Sequence, residues 1–77
     1  MFQEIKKLLV EQMGLDAGSI TPDAKLIADL KLNSLELAEF ILICEEEFEI
    51  TIKDSELRKM VSVKDMAEYA EKHKQLI

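Results

Sequence analysis

Residues 29–50 read DLKLNSLELAEFILICEEEFEI, and the spacing of apolar residues here decides the fold. Leu37, Phe40, Ile41, Cys44 and Phe48 recur at i, i+3, i+4, i+7 and i+11, which is one face of an α-helix running from Ser34 to about Glu49. Glu36, Glu39, Glu46 and Glu47 lie largely off that face. Leu35, Ala38, Leu42 and Ile43 widen the apolar surface beyond the stripe, and Leu35 and Leu42 are the two expected to reach solvent. Asn33 is a good N-cap, and Glu36 three residues on completes a capping-box pattern. Ser34 then stands at the first helical position. Unpaired N–H groups and a partial positive charge gather there, so a phosphate ester on Ser34 would be stabilised.

Outward from this helix the patterning stays helical. Ile5, Leu8, Leu9 and Met13 place a first helix over Phe2 to Met13, with Gly14 as its C-cap. Leu15 to Leu32 is a long connection whose scattered apolar residues (Leu15, Ile20, Leu26, Ile27, Leu30, Leu32) favour a loop packed by its own side chains. Within it, Thr21-Pro22-Asp23 matches an N-cap followed by Pro at N1 and predicts one short helical turn. Ile50-Thr51-Ile52 alternates like a strand but has no second strand to pair with. Asp54 or Ser55 is expected to cap a short helix through Leu57 to about Met60. Ser62, with Asp65 at N3, opens a last helix with Val63, Met66, Ala67 and Ala70 on one face. The fold class is all-α, with three main helices, one short helix and a long loop between the first two.

Seventy-seven residues make one domain, 1–77, of modest core, since a chain of this size buries only about 60% of its unfolded surface. Phe2, Phe40, Phe48 and Tyr69 are the only aromatics, so the core is chiefly aliphatic. No apolar run approaches the roughly 18 residues of a membrane span, and the opening MFQEIKK lacks a signal-peptide pattern. A cytoplasmic protein without membrane insertion is expected. The net charge of −6 argues against nucleic-acid phosphates as partners. That charge is local: Asp29 to Glu56 holds nine acids against two bases, a net of −7, and the remainder is +1.

Three kinds of chemistry can be weighed on these residues. A nucleophilic serine needs a base in reach, yet the only histidine is His73, near the C-terminal end, and no Gly-x-Ser-x-Gly elbow is present. The four carboxylates of EEEFE point in different directions on a helix, and the ligand pattern of a calcium loop is missing, so no metal site is expected. Such a run is a solvated face or a docking surface for a basic partner. Cys44 lies on the core stripe and reads as a buried, inert thiol.

The stretch DLKLNSLELAEFILICEEEFEI resembles the acyl carrier proteins, whose motif is Asp-Leu-Gly-x-Asp-Ser-Leu-[Asp/Glu] followed by an acidic helix ending Glu-Glu-Glu-Phe. ITPDAKLIADL upstream and SVKDMAEYAEKH downstream match in placement, so the resemblance spans nearly the whole chain. It implies a small four-helix bundle and a non-catalytic, monomeric carrier. It also implies a 4′-phosphopantetheine joined to Ser34 through a phosphodiester by a separate phosphopantetheinyl transferase. The arm's thiol would hold acyl groups as thioesters for fatty-acid synthesis enzymes bearing basic patches. By position, Leu35, Glu36, Glu39, Leu42, Glu45 and Glu46 would form the docking surface, and Phe40, Ile41, Cys44, Phe48 and Met66 would line an acyl-chain cavity. Asn33 stands where the family usually has Asp, and Lys31 where it usually has Gly. Those departures keep open a specialised carrier for polyketide, lipid-modifying or aminoacyl pathways, or an unmodified helical interaction module.

Overall fold

The three main helices form where apolar periodicity and caps place them. In the computed structural model, which describes residues 1–73, α1 spans Phe2–Met13, α2 Ser34–Phe48, α3 Asp54–Leu57 and α4 Val63–His73. α1 ends at Gly14, whose φ of 70° is the left-handed region that glycine enters without a Cβ penalty. Its N–H donates to the Val10 carbonyl at 3.2 Å. α1 packs against both α2 and α4. Ile5 and Leu9 of α1, Phe40 and Cys44 of α2, and Val63, Met66 and Ala70 of α4 are almost wholly buried, in one continuous aliphatic core.

The connection from α1 to α2 is packed, as its apolar residues require. Ile20, Ala24, Leu26, Leu30 and Leu32 are buried within the same core, whereas Ile27 is exposed. A short 3-10 turn at Ala17–Ser19, which the sequence does not announce, begins it. The helical turn expected at Thr21-Pro22-Asp23 does not form; a β-turn stands there, closed by the Ala24 N–H on the Thr21 carbonyl. To continue as a helix, the Pro22 carbonyl would have to accept from Leu26. Instead it accepts from the Lys64 N–H at 2.9 Å, and the Leu26 N–H donates to Val61 at 2.8 Å. Tertiary bonds to α4 and the residues before it have taken the groups a local helix needs.

α3 also differs from expectation. It covers Asp54–Leu57, its N-cap is Lys53 without a side-chain bond, and it stops before Met60. The Lys53 carbonyl already accepts from Glu56 and Leu57, so the helix starts one residue earlier than Asp54 or Ser55 capping implies. At its end the Lys59 and Met60 N–H groups fall back on carbonyls three residues behind, tightening the chain out of the α-helix. Ile50-Thr51-Ile52 is no strand. Ile50 and Ile52 both turn inward, with Thr51 exposed between them.

Candidate functional site

The N-terminus of α2 and that of α4 use the same caps and end up chemically different. At α4, Ser62 and Asp65 form the expected reciprocal pair: the Asp65 N–H donates to Ser62 Oγ and the Ser62 N–H to Asp65 Oδ2. The N–H groups of Val63 and Lys64 are taken by the carbonyls of Ala24 and Pro22. Every donor of that first turn has a protein partner. At α2, the Glu36 N–H donates to Asn33 Oδ1 at 2.7 Å, and the Asn33 N–H to Glu36 Oε1 at 3.0 Å, which is a complete capping box. Among the described residues, nothing accepts from the N–H groups of Ser34 or Leu35, and the exposed Ser34 hydroxyl makes no hydrogen bond. Asn33 does the capping. Ser34 is left with a free oxygen beside two open donors at a positive helix end.

Beside Ser34 opens an apolar groove of about 480 Å³ between α2 and α3. Leu37, Ala38, Ile41 and Leu42 form one wall, and Ile52 and Leu57 the other. Glu45 closes its far side. Its side chain accepts the Ile52 N–H at 2.8 Å, while its backbone carbonyl accepts the Ile50 N–H at 3.0 Å. The second bond needs Glu49 in the left-handed region, with a φ of 54°.

The six candidate docking residues divide into two kinds. Leu35 and Leu42 are 74% and 64% exposed, and Glu39 and Glu46 are exposed beside them. Glu36 and Glu45 are half-buried, and both carboxylates are already engaged, one in the cap and one on Ile52. The five candidate cavity residues are all buried, but of these only Ile41 lines the groove beside Ser34. Phe48 edges a separate depression against α1, next to Leu8. Sequence reasoning missed Ile52 and Leu57, the wall opposite α2. The alternation Ile50-Thr51-Ile52 held a signal that both isoleucines face inward, though not what they face.

Cys44 is fully buried, and burial, reinforced by the charges of Glu45 and Glu47, pushes its thiol up to about 12. His73 stacks on Tyr69 with ring centroids 4.0 Å apart on α4. It shares no groove with Ser34.

The family model for a phosphopantetheine attachment site matches residues 3–70. Curated relatives cover almost the full length. The chain is 38% identical over 72 residues to an acyl carrier protein of Campylobacter concisus, covering 94% of each. It is 39% identical over 72 residues to one of Solidesulfovibrio magneticus, covering 94% of this chain and 92% of the relative. It is also similar to one of Helicobacter pylori strain J99, 38% identical over 74 residues, covering 96% and 95%.

Proposed function

Because the chain belongs to the acyl carrier protein family, whose members are non-catalytic carriers with a covalent 4′-phosphopantetheine, we propose that Ser34 bears this group and that the cargo is fatty acyl. The observation that carries the assignment is the division of labour at α2: Asn33 and Glu36 satisfy the cap, leaving the Ser34 hydroxyl exposed and unbonded. The residues fit the group. The N–H groups of Ser34 and Leu35 are open to a phosphodiester oxygen, because the Glu36 carboxylate is turned back onto the Asn33 N–H. When bound, the group supplies a thiol on a flexible arm, able to hold an acyl chain as a thioester. The walls formed by Leu37, Ile41, Ile52 and Leu57 offer that chain an apolar shelter from water.

Glu39 and Glu46, flanking Leu35 and Leu42, form the docking face for the phosphopantetheinyl transferase and for fatty-acid synthesis enzymes with basic patches. Residues 1–77 work as one monomeric carrier domain in the cytoplasm. Among the described residues no helix is long and apolar enough to cross a membrane. Intact-mass measurement of the protein from its native host tests the proposal. A phosphopantetheine increment is expected on the wild type and none on Ser34→Ala, with further acyl increments removable by hydroxylamine. An unmodified wild type overturns the attachment, and increments that are not fatty acyl overturn the cargo.

A further inference from the structure

The four exposed large hydrophobic residues among those described form two pairs. Leu35 and Leu42 belong to the acidic face of α2. The other pair, Ile27 and Val61, are 54% and 51% exposed and lie far apart in sequence. Backbone bonds hold their segments side by side: the Leu26 N–H donates to the Val61 carbonyl at 2.8 Å, and the Val63 N–H to the Ala24 carbonyl at 3.0 Å. Ile27 and Val61 line a second groove with Leu37, Leu57 and Met60. Leu37 and Leu57 also line the groove beside Ser34, so the two surfaces are continuous across the α2–α3 seam.

The charged side chains that line this second groove are opposite in sign to the molecule, while the nearest carboxylates, Asp29 and Asp65, are turned onto the backbone N–H groups of Lys25 and Val61 at 2.8 and 3.0 Å. The groove's lining includes Lys25 and Arg58 and no acid, on a chain of net charge −6. Among the described residues neither cation has a carboxylate within ion-pair distance; Lys59 next door is the lysine that pairs, with Glu56 at 3.8 Å. An exposed apolar pair held rigidly by the backbone and flanked by two unpaired cations is complementary to an apolar knob flanked by carboxylates. An acidic helix face alone lets a basic partner slide or rotate along it; a pole of opposite sign nearby fixes one orientation.

We propose that Ile27, Val61, Lys25 and Arg58 form a second docking surface, which seats an acidic, apolar-anchored patch on the acyl-processing enzymes that grip α2. This rests on the carrier reading above. The test measures KM for the holo-protein with each purified acyl-processing enzyme of the source organism, comparing wild type, Glu39→Lys and the double variant Lys25→Glu/Arg58→Glu. All three exchanges are at exposed positions, and circular dichroism checks that helical content is retained. The double variant is expected to raise KM about tenfold, with kcat unchanged, for an enzyme that Glu39→Lys also impairs. A photo-crosslinker at Val61 is expected to capture a segment of that enzyme containing Asp or Glu. If Glu39→Lys impairs turnover and the double variant does not, the second surface falls while the acidic docking face stands. If neither has an effect, both surfaces fall; a Val61 crosslink that maps only to basic segments also overturns the second.

Discussion

Lys31 has a φ of 63°, a left-handed conformation that costs an ordinary side chain roughly 1–2 kcal/mol. The strain falls between Leu30 and Leu32, both buried, so the chain cannot relax there without withdrawing one of them from the core. Lys31→Gly is expected to raise stability by about 0.5–1 kcal/mol, the relief being partly offset by glycine's greater entropy loss on folding. A urea midpoint that does not rise sinks this prediction, and Lys31→Ala, which drops the charge but keeps the Cβ, should give no gain. The identity of residue 31 was visible in the sequence as a lysine where the acyl carrier motif has glycine; its positive φ was not, because nothing local in Leu-Lys-Leu demands a reversal. Asn33 and Glu36 are the opposite case. A capping box spans only four residues, so sequence alone located it.

At the scale of elements, α2 was legible because fifteen residues repeat one apolar face, and its end was legible to within a residue. The existence of α3 was legible too, but not its cap or its end, since four residues hold too little periodicity to outweigh the bonds of their neighbours. What fixes the passage from α2 to α3 is Glu45, whose carboxylate reaches seven residues ahead to the Ile52 N–H. No sequence pattern marks such a contact. Glu45→Ala leaves that part-buried N–H without its acceptor and should cost about 1–3 kcal/mol. Glu45→Gln keeps an oxygen in place and should lose clearly less. Hydrogen exchange at the Ile52 amide reads the difference directly; equal protection in both variants would show that the latch does not hold the groove wall. The wall formed by Ile52 and Leu57 was illegible for the same reason: it exists only once α3 is brought across α2.

For the whole molecule, the relevant quantity is the placement of charge. The −7 concentrated between Asp29 and Glu56 sits on a domain whose remainder is +1, so self-repulsion within that stretch opposes folding. Sodium chloride screens it, and raising the salt from about 20 mM to about 500 mM shortens the screening length severalfold. A melting temperature higher by about 4–8 °C is expected, which corresponds to roughly 1 kcal/mol for a domain of this size. Glu39→Lys/Glu46→Lys should show a smaller gain, and a salt-independent melting curve would mean that the acids are too well solvated to repel. The buried sulfur of Cys44 has a separate consequence for the molecule as a whole. With its thiol raised to about 12, it is neither ionised nor accessible at neutral pH, so the single cysteine of the chain offers no thiolate to intercept an acyl thioester. A carrier built this way does not pass its cargo to its own sulfur, and a maleimide applied to the folded holo-protein would report on the arm alone.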